Sequence, residues 1–146
     1  MLDYGLTEEQ TAIRDLAREI AEKELRPVSA QYDLSGEFPW PVVKTLADAG
    51  LFGTFIPEEY DGIAGGTPTL NLSLVTEELS RACAGIALSL CGTALGAMPI
   101  LLAASEEQKH RFLPGIAAGK RLAAFALKYK DTPTLWDYLR ALDHAA

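Results

Sequence analysis

Residues 82–105 read ACAGIALSLCGTALGAMPILLAAS, 24 residues without a charged side chain between Arg81 and Glu106. How that stretch is housed decides the fold. A membrane span needs about 20 mostly apolar residues, and the Gly92-Thr-Ala-Leu-Gly96 spacing would let membrane helices approach closely. Against a span, Gly85, Ser89, Gly92, Thr93, Gly96 and Pro99 dilute the stretch, and the flanking sequence alternates charged and apolar helical faces. The two readings are therefore a membrane span and a buried helix against which something apolar packs, and the second agrees better with the flanks.

Outward from this stretch the chain punctuates itself as helices. Upstream, a helix is expected from about Thr69 to Ala82, with Leu70, Leu72, Leu74, Val75 and Leu79 apolar. Downstream, Ser105-Glu-Glu-Gln108 is a capping box that opens a helix burying Phe112 and Leu113, with Pro114-Gly115 near its end. Thr7-Glu-Glu-Gln10 is a second box; its helix carries Ile13, Leu16, Ala17 and Ile20 on one stripe to about Arg26, where Pro27 kinks or ends it. Phe38-Pro-Trp-Pro41 leads into a short helix, Val42 to Ala49, that Gly50 terminates in a left-handed conformation. Residues 51–66 hold four glycines and a proline and form an aromatic loop, with no strand before it and no GKS/T after it to make a phosphate cradle. Leu122 to Leu127 reads as a short strand, and Thr132-Pro133 opens a terminal helix with Leu135, Trp136, Leu139 and Leu142 in a stripe. An all-α helical bundle with one short strand is the expectation, on a chain of 146 residues that suits one domain.

Charge excludes one class of partner. The net charge of −7 argues against nucleic acid as a partner, since phosphate binding needs a basic face. The deficit is uneven: residues 1–105 hold 6 Lys/Arg against 15 Asp/Glu, and residues 106–146 hold 7 against 5. A solvated helix face or a small anionic ligand near the C-terminal part would each account for that. Cys83 and Cys91, eight residues apart, would lie about 12 Å apart on one helix, too far for a disulfide, so they read as reduced buried thiols. MLDYGLTEEQ has no secretory or transit-peptide character, and a cytoplasmic protein is expected.

No catalytic or metal constellation stands out in the residues themselves. His110 and His144 lack a second ligand at metal spacing, Ser89 and Ser105 have no base beside them, and the two thiols sit in apolar surroundings. The pairs Glu8-Glu9, Glu58-Glu59, Glu77-Glu78 and Glu106-Glu107 read as helix-start and surface charges. The expected catalytic and metal sets are both empty.

Longer words in the sequence carry more. Leu6-Thr-Glu-Glu-Gln10, Gly50-Leu-Phe-Gly53 with Ile56-Pro-Glu-Glu-Tyr-Asp-Gly62, Val75-Thr-Glu-Glu-Leu-Ser-Arg81, Leu95-Gly-Ala-Met-Pro-Ile100, Glu106-Glu-Gln-Lys109 and Phe112-Leu-Pro-Gly115 stand in an order and spacing that resembles the N-terminal helical domain of acyl-CoA dehydrogenases, over residues 5–127. The resemblance implies flavoenzymes of fatty acid metabolism that bind FAD and an acyl-CoA thioester. Such enzymes remove the α-proton with a glutamate and pass the β-hydrogen as hydride to flavin N5. It also implies a homo-oligomer without a membrane segment. On that resemblance the uncharged helix walls an acyl pocket, with Ala87, Leu88, Cys91 and Leu95 as substrate-binding positions, though plain core packing explains each as well. Phe125 and Leu127 would begin the strand that meets the cofactor.

The likeness then stops. Lys128-Tyr-Lys-Asp-Thr-Pro133 stands where the family has Thr-Glu-Pro-x-Ala-Gly-Ser-Asp, and no counterpart of the catalytic glutamate, the flavin phosphate contacts or the CoA-binding serine follows. The expected organisation is a helical domain over 1–121, a remnant of a first barrel strand over 122–127, and a non-family helical tail over 128–146. The expected function is a truncated acyl-CoA dehydrogenase-like domain, not catalytic alone and not retaining FAD alone; the alternative is an interaction or oligomerisation module derived from it.

Overall fold

In the computed structural model, residues 5–126 are described. Leu127 and the tail over 128–146, with its expected terminal helix and His144, lie outside the described residues. Helix α1 (Glu8–Ile20) starts at the expected capping box: the Thr7 hydroxyl accepts from the Gln10 amide at 3.2 Å, and the Thr7 amide donates to the Gln10 side chain at 3.0 Å. A π-helical turn, Ala21–Leu25, continues it, with the Arg26 amide donating to the Ala21 carbonyl at 3.0 Å. Pro27 has no amide to donate, so the helix ends beside it. A short helix α2 (Ser29–Ser35) follows that the sequence pattern did not announce. All of its residues are exposed or half-buried, so no apolar stripe marks it.

Helix α3 (Trp40–Asp48) begins two residues earlier than the apolar pattern suggests and is closed by Gly50 at φ 74°, a left-handed position that glycine takes without steric cost. The glycine-bearing loop is two 3₁₀ turns, Leu51–Phe55 and Glu58–Tyr60, and the first is wholly buried. Asn71 holds the loop down: its side-chain amide donates to the Ala64 carbonyl at 2.9 Å and the Thr54 carbonyl at 3.3 Å. Helix α5 (Glu106–Ala117) starts at the second capping box, Ser105 with Gln108.

Between them runs α4 (Pro68–Ala103), interrupted at Cys83, whose backbone is extended (φ −159°, ψ 107°). The interruption turns the helix into two arms that lie against one another. Thr76 Oγ1 and Cys91 Sγ are 3.2 Å apart, although fifteen residues along a straight helix would separate them by about 22 Å. The first arm, 68–82, carries the charged residues, and the second, 84–103, is the uncharged stretch. The expected junction at Ala82 is thus displaced by one residue.

The second arm buries Ile86, Ala87, Leu90, Ala94 and Ala97 against Val75 and Leu79 of the first arm and against Leu25, Phe52 and Leu113 of the surrounding elements. The buried-helix alternative is therefore the arrangement observed. Among the described residues α4 is the one helix long and apolar enough to cross a membrane, and one face of its apolar arm forms the bundle core. The glycines of that arm have different neighbours from those expected. Nothing approaches Gly92, whereas a Cβ on Gly96 would lie 2.6 Å from the Ala124 nitrogen and 2.8 Å from Ala123, so Gly96 admits the chain's own 122–126 segment in place of another helix.

The strand expected over 122–127 is not formed across 122–126. A strand is stabilised by pairing with a neighbour, and no strand lies among the described residues. The segment is held instead by the Ala123 amide donating to Thr93 Oγ1 at 3.4 Å.

One carboxylate departs from the surface expectation. Glu78 is only 5 % exposed, and the Arg18 guanidinium clamps it with two bonds, 2.6 Å and 3.0 Å, while Arg81 adds a third at 3.0 Å. The Arg18 hydrogen bond is the main reason the Glu78 carboxyl is held below its ordinary value, against the opposing effect of burial. A depressed folded value contributes stability that is present above the unfolded carboxylate range and is lost as pH falls through the folded one. Arg18→Met leaves a buried carboxylate short of its main partner, whereas Glu78→Gln removes the charge itself. The first is expected to lower the unfolding midpoint more at pH 7, and its deficit should shrink as pH drops below about 4.5. Urea titrations at several pH values measure this, and a deficit independent of pH would refute the clamp.

Candidate functional site

The second arm of α4 has two faces, and the outer one is unusual. Leu88 (65 % exposed), Leu95 (56 %), Met98 (41 %) and Leu102 (78 %) are solvent-facing, and half-buried Cys91 lies among them. Their spacing of three and four residues puts them on one line along the helix. Large apolar side chains gathered on one surface mark a place where something binds, and no charged residue interrupts this one from Ala82 to Ser105.

Of the four expected pocket positions, Leu88, Cys91 and Leu95 share this face. Ala87 does not: it is 1 % exposed and turned toward the core. Met98 and Leu102 extend the line and escaped the sequence reading, although the same three-and-four spacing was available to find them. Cys91 is tied back to Thr76 across the hairpin, so its sulfur has a polar partner among apolar neighbours.

Phe125, the expected cofactor contact, is 46 % exposed at the end of the segment that crosses Gly96. That segment starts within one helical turn of Leu95, at Thr93. Leu127, its expected companion, lies outside the described residues. A dinucleotide needs donors for its diphosphate; among the described residues beside Phe125, the amide of Ala123 is directed at Thr93 Oγ1 at 3.4 Å and Arg121 donates to the Arg111 carbonyl at 3.4 Å.

A separate cleft of about 290 Å³ opens between the two arms and the 3₁₀ turns, walled by Phe55, Leu72, Ala94, Met98 and Leu101. Its polar rim is internally satisfied. Tyr60 donates to Glu106 at 2.9 Å, and Lys109 donates to the other Glu106 oxygen at 2.9 Å. Burial and the Glu106 bond push the Tyr60 hydroxyl up, and the Lys109 bond followed by the Tyr60 bond holds Glu106 down. His110 packs edge-on against the Tyr60 ring, 5.0 Å between centroids. A neutral phenol, a paired carboxylate and a paired ammonium offer no activated acid or base. Among the described residues no group of three or more His, Cys, Asp or Glu gathers at metal-binding distance, and every buried side-chain nitrogen or oxygen has a hydrogen-bond partner.

Comparison with known proteins agrees with this geometry. Residues 7–120 match the family described as acyl-CoA dehydrogenase, N-terminal domain. A probable acyl-CoA dehydrogenase of Bacillus subtilis, YngJ, is 36 % identical over 127 residues, covering 86 % of this chain and 33 % of its own length. Butyryl-CoA dehydrogenase from Megasphaera elsdenii superposes with a TM-score of 0.81 at 32 % identity, over 90 % of this chain and 35 % of that one. The Bacillus anthracis acyl-CoA dehydrogenase solved in complex with FAD gives 0.77 at 31 % identity, over 91 % and 23 %. This chain spans about a third of the length of the curated relatives it matches. With the family's helical arrangement and the family's match over most of its residues, the chain belongs to the acyl-CoA dehydrogenase family, as its N-terminal helical domain.

Proposed function

We propose that this chain supplies the helical wall of an acyl-CoA thioester site of the FAD-dependent dehydrogenase type and does not dehydrogenate a thioester by itself. The observation that carries the reading is the outer face of α4, where Leu88, Cys91 and Leu95 present an uncharged apolar surface. An acyl chain lying on that face would be kept from water, and the small Cys91 with Gly92 leaves it volume. Ala87, packed in the core behind them, acts through its size by letting the arm sit close to its neighbours. Phe125 and Leu127 would border the flavin. In the family that cofactor accepts the hydride, and the general base is a carboxylate. The stretch 82–105 carries no carboxylate, so the base has to come from outside that helical wall. A cytoplasmic setting with reduced thiols and assembly into a homo-oligomer belong to the same reading.

The test is a titration of the purified chain with FAD and then with a medium-chain acyl-CoA, followed by its visible spectrum and by the methyl NMR signals of Leu88 and Leu95. The expected result is colourless protein with no flavin bleaching, whose two leucines respond to the thioester and not to free coenzyme A. Stoichiometric yellow flavin bleached by the thioester would overturn catalytic incompleteness. Silent leucines would overturn the wall. The same exposed leucines also suit a second reading, an interaction module, for which a colourless protein whose leucines ignore the thioester but respond to its own concentration-dependent oligomerisation is the signature.

A further inference from the structure

The outer line of α4 and the cleft between its two arms meet at one residue. Met98 is 41 % exposed on the line and also lines the cleft of about 290 Å³. We infer that this cleft receives the far end of a long, methyl-terminated acyl chain whose nearer carbons lie on Leu88, Cys91 and Leu95. This rests on the acyl-wall reading and adds a second chamber to it, and with it a preference for chain length and end group.

Helical geometry sets the order of the surfaces. At 3.6 residues per turn, Thr93 and Gly96 lie to one side of Leu95, whereas Ala94, Met98 and Leu101 lie to the other. The first side carries the segment 122–126, held at Thr93 and Gly96, which leads to Phe125. The second side is the cleft. A chain that starts at a flavin bordered by Phe125 and crosses the outer face therefore arrives at Met98. A helix is about 10 Å across, and an extended alkyl chain of roughly 1.5 Å bonds advances about 1.25 Å per carbon, so about eight carbons cover the wall. Carbons beyond that meet either water or the cleft.

The arms also show where the cleft can be entered. They are closed on one another where Thr76 Oγ1 and Cys91 Sγ lie 3.2 Å apart, and Met98 stands about two turns further along. Beyond Leu88, by contrast, the helix breaks at Cys83, and the cleft beside the break carries the carboxylates of Asp33 and Glu37. An alkyl tail is therefore accommodated at the Met98 end of the wall.

The rim selects the end group. Glu106 accepts from both Tyr60 and Lys109, and Glu59 brings a second carboxylate to the same rim. Two carboxylates against one ammonium leave it net negative, so a tail ending in a carboxylate is repelled. A methyl end needs no polar partner among Phe55, Leu72 and Leu101.

The test compares octanoyl-CoA, dodecanoyl-CoA and a dodecanoyl-CoA bearing an ω-carboxylate, titrated into the full chain by calorimetry and by methyl NMR. Four further buried methylenes, about fourfold each, should tighten dodecanoyl-CoA over octanoyl-CoA by about a hundredfold. The ω-carboxylate should abolish most of that gain. Leu88 and Leu95 should respond to both chain lengths, and Met98 and Leu72 to dodecanoyl-CoA alone. Met98→Trp and Thr69→Trp plug the mouth from opposite arms at solvent-facing positions, so circular dichroism should be retained. Each should cut the dodecanoyl advantage to less than about tenfold by leaving the added carbons in water. Equal affinities for the two chain lengths overturn the inference, and so does an advantage that survives both plugs. Silent Met98 and Leu72 beside responding Leu88 and Leu95 strike the second chamber and leave the wall standing, whereas silence at all four positions strikes both.

Discussion

Phe52→Ala is expected to lower the unfolding free energy by about 3–5 kcal/mol, the cost of truncating a fully enclosed aromatic and leaving a cavity. Phe52 is 0 % exposed, in the 3₁₀ turn between α3 and the second turn. The surrounding chain closes on it tightly: a Cβ on Gly119 would come within 3.1 Å of its ring and 2.3 Å of the Ala47 Cβ. The turn therefore ties α3 to the end of α5. Because a domain of this size has about 5–15 kcal/mol in total, the variant should unfold at a much lower urea concentration, or lack a folded baseline altogether. Circular dichroism during urea titration measures it. A loss below about 1 kcal/mol would mean that the turn can collapse around the missing ring, and that it is not a rigid part of the core.

Gly62→Ala should cost about 2–4 kcal/mol, from overpacking combined with a lost hydrogen bond. An added Cβ would stand 1.8 Å from the Ile56 carbonyl oxygen and 2.4 Å from its carbon. Both are backbone atoms, so no side-chain rotation relieves the contact. The chain must open where the Gly62 amide donates to Pro57 and the Ala64 amide donates to Ile56, each at 3.1 Å. Opening it also moves the Ala64 carbonyl away from Asn71. Gly66→Ala is the matched control, because nothing lies within 4 Å of its would-be Cβ, and it should change stability little. Equal midpoints for the two variants would refute the close approach.

These two positions show how far local sequence could be read. Gly50, after an apolar run, was recognisable as a helix stop because a left-handed terminal residue leaves a compositional mark; Gly62 was not, because its neighbour across the turn is a carbonyl six residues away. Both capping boxes were legible for the same local reason, since cap and partner lie three residues apart. Helix α2 was missed because its residues reach no core and so show no stripe. Glu78 looked like a surface charge because its counter-ion, Arg18, is sixty residues away.

The candidate site divides in the same way. That an apolar helix existed was written in the 24 charge-free residues, and the resemblance to the family selected Ala87, Leu88, Cys91 and Leu95 on it, of which Ala87 lies in the core. Which face was outward was not written there, because a helix that is apolar on all sides carries no periodic signal of its own orientation. Only the packing of the first arm, α1 and α5 against Ile86, Ala87, Leu90 and Ala94 left Leu88, Leu95 and Leu102 outside.

Sequence alone determined the described helices other than α2, the two capping boxes, the charge-free stretch and, through words held in register, the family. Tertiary structure decided that Cys83 folds the stretch back on the helix before it, that Gly96 receives the chain's own later segment, and that Ala87 is core while Leu88 is surface. The physical reason is range. Caps, turns and periodicity arise from contacts within a few residues, whereas burial, hairpin packing and close backbone approach depend on partners that only folding brings together.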